Sequence, residues 1–290
     1  MKEIRFFWLF LMFSLSLSAQ LKGIVVDENN NPIPFVNIWV EGENSGTTSE
    51  ENGTFSINTS KEKNLVFSTI GYEMKTIKAI ESKKVVLKPI VFELNEVVIF
   101  KPKNSIELEI GTSNNRFYLP EPQVVPWIFA RKFTIDKKNT EIKYLKKLVF
   151  YTKSKTNEAI FRVRIFKVNN EGNPDEDLIS ESIIVQPKKG QHKTIVDVSA
   201  FKIEVPADGI IIGFESLLTE SNKYMQEVRV NNSKQTSKVL NYGPYVMYCY
   251  DSKEESYTYR NGKWIKQKYS MFPEKSNEVI TPAITIILTN

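Results

Sequence analysis

Beyond Gln20 the chain nowhere sustains an apolar repeat at helical spacing. Short runs rich in β-branched and aromatic residues recur instead, each closed by Asn, Gly, Pro or Asp. The run FVNIWV (35–40) shows the pattern, with Val36, Ile38 and Val40 on one side and Phe35, Asn37 and Trp39 on the other. Because successive side chains of a strand point to opposite faces, this run has one wholly apolar face to bury. Between residues 21 and 99 about seven such runs are separated by turn chemistry, the signature of an antiparallel β-sandwich. The chain is expected to be all-β.

The N-terminus is of another kind. In MKEIRFFWLFLMFSLSLSAQ, Lys2 and Arg5 precede an apolar run from Phe6 to Phe13 that fades into small residues ending at Ala19. This is the pattern of a secretory signal peptide over 1–19, cut before Gln20. Its apolar part is shorter than the ~20 residues of a membrane span, and no Cys near the cut offers a site for lipid. The roughly 270 residues that remain suffice for two domains with separate cores. With 41% hydrophobic, 12% aromatic and 25% charged residues the chain has the composition of a folded protein. Its 39 Lys and Arg against 34 acids give a net charge of +5 that is spread along the sequence, so nucleic acid is not an expected partner. Cys249 stands alone, which excludes an internal disulfide in an exported chain; burial must supply the stability, and the thiol is expected in the core.

The stretch GTTSEENGTFSI (46–57) poses a choice between a metal loop and a turn. A calcium loop needs oxygens at alternate positions and a closing bidentate acid about six residues after its Gly. Thr48, Glu50 and Asn52 supply the alternate oxygens, but the closing position after Gly53 is Thr59. A hairpin turn asks less: Asn52-Gly53 takes positive φ readily, and Phe55 and Ile57 then point inward at strand spacing. A turn is expected there, with no metal and no cofactor.

With these strands in place, a resemblance can be stated. GIVVDENNNPIPFVNIWVEGENSGTTSEENGTFSI, then LVFSTIGYE, VVLKP and LNEVVI, resembles the carboxypeptidase-like regulatory domain of exported proteins of Bacteroidetes type. The matching features are the Gly23-to-Asp27 opening, Pro32 and Pro34 before Val36–Val40, Gly46-Thr47-Thr48, Asn52-Gly53 with Phe55, and Ile70-Gly71-Tyr72. The resemblance implies a transthyretin-like β-sandwich over residues 20–100 and no catalytic activity of its own. In many homologous chains this domain precedes the plug and barrel of a TonB-dependent transporter. The roughly 190 residues after Phe100 are too few for a 22-stranded barrel, which needs over ~220 in its strands alone.

KPKNSIELEIGTSNN (101–115) loses apolar density and gathers Pro, Gly and Asn, so a linker is expected there. Over 116–290 short runs resume: VVPWIFARKFTI, YLKKLVFYTK, AIFRVRIFKV, SESIIVQ, KTIVDV, GIIIGFES, YVMYCYD, SYTYR, KWIKQ and AITIIL. In AIFRVRIFKV the Phe161, Val163 and Ile165 side alternates with Arg162 and Arg164, which reads as one dry face and one wet one. NNEGNPDED after it reads as a hairpin loop. A second antiparallel β-sandwich, jelly-roll-like, is expected. FRVRIFKVNNEGNPDEDLISESIIV, with VPADGIIIGFE, resembles the second domain paired with this module in uncharacterised exported Bacteroidetes proteins, which implies an architecture and no activity.

Catalytic residues are scarce. His192, the single histidine, lies in the turn-like KKGQHKT and is followed by Lys193-Thr194-Ile195, so neither a zinc set nor a nucleophile pair can be built on it. Asp175, Glu176 and Asp177 offer paired carboxylates, but adjacent acids in a Pro-containing turn are usually solvated. The better candidate is SYTYRNGKWIK (256–266), where Asn261-Gly262 closes a two-residue hairpin that sets Arg260 opposite Lys263 and Tyr259 opposite Trp264. Tyr257 shares the Tyr259 face, so Tyr257, Tyr259 and Trp264 form either a stacking platform for a sugar or peptide, or an inward-facing part of the core. Tyr242, Tyr245, Tyr248 and Tyr250 lie near in sequence.

The expected function is that of a non-catalytic exported binding or scaffolding protein of the cell envelope, periplasmic or at the cell surface. It would touch membrane only indirectly once the signal is removed. A glycan is the first ligand expectation; the alternative is a protein-interaction module docking on an outer-membrane transporter or other envelope protein, and the third a carboxylate-dependent hydrolase.

Overall fold

The computed structural model describes residues 20–90, 106–111, 116–117, 125–135, 142–229, 236–251, 255–267 and 279–290. The signal-peptide stretch 1–19 and LNEVVI lie outside them.

The first unit has seven strands: β1 (Gln20–Val26), β2 (Asn37–Val40), β3 (Gly46–Thr48), β4 (Thr54–Asn58), β5 (Asn64–Ser68), β6 (Lys75–Lys78) and β7 (Lys84–Val86). They form two sheets, β4-β1-β7 and β3-β2-β5-β6. Alternation decides which side chains meet between them: Val25, Ile38, Val40, Phe55, Ile57, Leu65, Phe67 and Val85 make the core. One pair, β1 with β7, runs parallel rather than antiparallel.

The EENG segment is a turn but not a hairpin, since β3 and β4 belong to different sheets and the segment carries the chain from one to the other. Gly53, at φ +74°, donates its N–H to Glu50 O at 2.9 Å, while Glu50 N–H donates to Thr54 O at 2.8 Å. Asn52 is not in the left-handed region; its Oδ1 accepts from Thr54 N–H and hydroxyl. Only Gly fits at 53, because a Cβ there would lie 2.6 Å from Val25 O.

The second unit runs β8 (Glu107–Ile110), β9 (Arg116–Phe117), β10 (Ile128–Phe133), β11 (Tyr144–Ser154), β12 (Phe161–Val168), β13 (Pro174–Asp177), β14 (Ile183–Val185) and β15 (Gly190–Asp197). It continues with β16 (Ile210–Ser216), β17 (Lys223–Arg229), β18 (Thr236–Tyr242), β19 (Tyr245–Val246), β20 (Tyr248–Asp251), β21 (Ser256–Arg260), β22 (Lys263–Lys266), β23 (Val279–Pro282) and β24 (Ile284–Thr289). A seven-stranded sheet, β13-β12-β16-β10-β21-β22 with β14 beside β12, packs on a five-stranded one, β15-β11-β24-β8 with β19 beside β11. Phe161, Val163, Ile165, Ile212 and Phe214 of the first meet Leu148, Phe150, Ile284, Ile286 and Leu288 of the second. Phe161 and Phe214 stack with centroids 4.3 Å apart. β17 and β18 form a two-stranded ribbon, and β23-β20-β9 a small third sheet.

Several local expectations give way. Glu107–Ile110, inside the stretch read as a linker, pairs with the last strand. Pro174–Asp177, read as hairpin loop, forms an edge strand on β12, and His192 sits in β15 rather than in a turn, its Nε2 2.8 Å from Lys189 O. The largest correction concerns the face of β12 read as wet: Arg162 is fully buried and Arg164 is 9% exposed. The first sandwich covers it. Val36, just before β2, and Ile38 and Val40 within it supply the sandwich's own core, whereas Asn37 and Trp39 face the second unit, which is why the strand is buried on both sides. Trp39 and Val66 pack with Val125, and Ile70 enters the core cluster of the second sandwich.

Candidate functional site

The junction between the two sandwiches is built on charge. Glu215 of β16, 1% exposed, lies between two guanidinium groups: Arg162 Nη1 is 3.1 Å from its Oε2 and Arg164 Nη1 is 3.0 Å from its Oε1. Arg164 also grips Asp177 in a fork, Nε to Oδ1 at 2.8 Å and Nη2 to Oδ2 at 2.5 Å. Such planar two-point pairing is the strongest geometry an arginine and a carboxylate can adopt. The first sandwich closes the network. Asn37 Nδ2 donates to Glu215 Oε1 at 2.6 Å, and Arg162 Nη2 donates to Phe35 O at 2.6 Å. Phe35 holds φ +56°, a left-handed conformation costly for a bulky residue, and its carbonyl receives the buried guanidinium.

The electrostatics follow from burial. Desolvation lowers the pKa of Arg162, with Glu215 opposing it. At Arg164 desolvation is outweighed by Asp177 and Glu215 together, and the pKa is raised. Both guanidinium groups face carboxylates within hydrogen-bonding distance. The carboxylates are thus held as ion-pair partners. Asp177 and Glu215 are both engaged by Arg164, and Glu215 by Arg162 as well.

Around this network the hairpin residues separate. The turn is as expected: Asn261 and Gly262 have φ +51° and +78°, and Tyr259 opposes Trp264 and Arg260 opposes Lys263. Tyr257, however, is withdrawn from any platform. It is 1% exposed, packs with Ile128, Ala130, Phe166 and Ile211, and donates its hydroxyl to Gly172 O at 2.7 Å, with Glu255 Oε2 at 2.8 Å. Burial and the Glu255 carboxylate both push its pKa up. An aromatic side chain with an apolar cluster to fill turns inward, and its hydroxyl then needs a buried partner.

Tyr259 and Trp264 are half-buried, with ring centroids 5.1 Å apart, and Trp264 meets Phe166 edge to face at 5.2 Å. Together they wall a pocket of about 150 Å³ between the sandwiches. Asn37 and Trp39 line its opposite side, and Asp175, Asn261 and the Arg164–Glu215 pair complete it. Two acceptors there are uncommitted. Asp175 makes no ion pair among the described residues, and Asn261 Oδ1 is closed off from solvent without a partner, while its Nδ2 donates to Asn44 Oδ1 at 2.8 Å.

The remaining candidates lie apart. Glu176 makes an exposed pair with Lys167, and His192 stands on the exposed edge strand β15. Cys249 is fully buried in the small third sheet, with Thr281 Oγ1 at 3.3 Å. At the EENG loop, Glu50 Oε1 accepts from Glu220 N–H at 3.0 Å and Thr48 Oγ1 accepts from Leu218 N–H at 2.8 Å. These residues tie the first sandwich to the second. Asn37, Arg162, Arg164 and Glu215 were invisible as a set, because the sequence places two arginines on one strand face without showing that another domain covers that face.

Residues 21–99 match the family model of the CarboxypepD_reg-like domain. The match takes in the first sandwich from Leu21 onward. A TonB-dependent receptor of Formosa agariphila is 34% identical over 103 residues, which cover 32% of this chain and 10% of that protein. The chain therefore matches about a tenth of that relative's length, and the second sandwich lies outside the family match. Among the described residues no helix is long and apolar enough to cross a membrane.

Proposed function

We propose that this is a non-catalytic binding protein of the bacterial cell envelope, whose junction pocket holds one sugar unit. The observation that carries the reading is the convergence of Tyr259 and Trp264 with Asp175 in a pocket of about 150 Å³. Aromatic rings offer a face for the C–H side of a sugar ring, while a carboxylate accepts from its hydroxyls. Non-catalysis is supported by the pairing of Asp177 and Glu215 with arginines and by the regulatory character of the CarboxypepD_reg-like domain. Export rests on the 1–19 signal pattern, and the relative's description as a TonB-dependent receptor supports the envelope as the place of work. N-terminal sequencing of protein from the envelope fraction is expected to begin at or near Gln20.

The test is a glycan array probed with the wild-type chain and with Trp264→Ala and Asp175→Ala. A glycan bound by the wild type and lost by both variants, with folding intact, is the expected result. Binding that survives Trp264→Ala, or an array on which nothing binds, overturns the sugar reading. A second reading, docking on an envelope protein, is favoured by free strand edges on the first sandwich.

A further inference from the structure

A trough of about 570 Å³ runs along the opposite flank of the junction. Every residue of β3 and β4 lines it, with Leu218, Glu220 and Lys223 at its base and Leu240 and Tyr242 of the β17–β18 ribbon as its far wall. β3 and β4 are edge strands of their respective sheets. The bond from Val25 N–H to Gly53 O fixes the phase of the β1–β4 ladder. In an antiparallel pair the outward and inward main-chain groups alternate, so Gly53, Phe55 and Ile57 face β1, and Thr54, Ser56 and Asn58 face away from it. The outward groups of Thr54 are met locally, by Asn52 Oδ1 and by Glu50 N–H. No strand meets those of Ser56 and Asn58, since β4 pairs with β1 alone. The Ser56 hydroxyl is also closed off from solvent without a partner.

This edge is left unguarded. Of the strands paired on one side only, β6, β7, β8, β13, β15 and β22 carry Lys, Glu or Asp, the charges that deter pairing with another chain, while the short β14 and β19 do not. β4 reads TFSIN and β3 reads GTT, with neither charge nor Pro. Beside them Leu240 is 48% exposed, opposite Met225 at 57% on the ribbon.

We infer that the trough receives an extended peptide segment of a partner protein, added as a strand to β4. This deepens the second reading above and is independent of the sugar pocket. The occupant is a peptide because the unmet groups are an N–H and C=O series repeating every two residues, ~6.8 Å, which another strand matches and a sugar or small molecule does not. Its side chains would alternate: those turned inward meet Phe55, Ile57, Leu218 and Leu240, and so are apolar. The trough is continuous with the existing junction, whose bonds Thr48–Leu218 and Glu50–Glu220 lie at its base, so one peptide would touch both sandwiches.

The test uses the full chain against a displayed library of random nonapeptides. Enriched peptides are expected to alternate apolar and polar residues, and hydrogen exchange with a synthetic enriched peptide should slow at the Ser56 and Asn58 amides. Ser56→Pro removes an outward N–H without touching the β1 ladder, and Asn58→Lys places a charge on the edge. Each is expected to weaken peptide binding at least about tenfold, while Trp264→Ala leaves it unchanged. Asn58→Lys decides the matter if Ser56→Pro fails to fold. The inference is overturned if no peptide is enriched, if both edge variants bind as the wild type does, or if protection falls elsewhere. It is also overturned if light scattering shows a dimer that Asn58→Lys dissociates, because the occupant is then a second copy.

Discussion

At the scale of single residues, Glu215 holds the junction together. It accepts from Arg162, Arg164 and Asn37, and every one of these partners is nearly or fully buried. Glu215→Ala leaves Arg162 buried without a carboxylate and Arg164 with Asp177 alone, and should cost about 3–5 kcal/mol, read as a fall in the urea midpoint. A loss below ~1 kcal/mol would mean that water reaches the arginines. Glu50 makes a quieter prediction. Burial raises its carboxyl above the ordinary glutamate value of 4.5, against the opposing pull of the Glu220 N–H. The native state therefore holds this proton to higher pH than the unfolded chain does. Linkage then requires stability to fall as pH rises from the ordinary value through the raised one, and to level off above it. Glu50→Gln should remove that part of the pH dependence in thermal melts between about pH 4 and 7. Identical profiles for the two proteins would show that Glu50 does not titrate differently on folding.

At the scale of elements, the β21–β22 hairpin tests core against pocket. Trp264 is half-buried against Phe166 and Tyr259, so Trp264→Ala should cost about 1–3 kcal/mol, less than a full core truncation, and leave a folded protein for binding measurements. Tyr257→Phe removes one buried hydroxyl from two part-exposed acceptors and should cost about 1–2 kcal/mol, measured by denaturation, with no effect on ligand binding. The hairpin's register was legible because Asn-Gly fixes a two-residue turn, and the turn fixes the pairing. Most strands of the first sandwich were legible for a similar reason: their β-branched and aromatic runs end at turn residues, and β4 alternates one dry face. What stayed hidden had no such local signature. The ribbon strand β18 is largely exposed and mixes polar with apolar residues without a clean alternation, so its sequence marks no dry face. Pro174–Asp177 looks like a loop by composition, yet it pairs along β12, where Arg164 holds Asp177. The inward turn of Tyr257 depends on Phe166 and Ile211, far away in sequence, and periodicity carries no information about them.

At the scale of the molecule, the stacking of the two sandwiches decides how the chain unfolds. Their junction combines the Arg–Glu–Arg network with an apolar part, Trp39 and Val66 on Val125, and with Ile70, which leaves its own sandwich to pack in the core cluster of the other. Two domains that share side chains in this way lose more by unfolding one at a time than independent modules do, because each would expose the other's half of the junction. A single thermal transition is therefore expected, with far-ultraviolet circular dichroism and tryptophan fluorescence coincident. Ile70→Asp is the discriminating substitution. It places an unpaired carboxylate where an apolar contact joins the units, without removing a hydrogen bond from either sandwich. The expected outcome is two separated transitions in calorimetry, the sandwiches melting apart while each keeps its strand content. Two transitions already present in the wild type would show that the junction is too weak to couple them. One transition surviving in Ile70→Asp would place the coupling in the charge network around Glu215 instead, and Glu215→Ala in the same calorimeter would then be expected to split it.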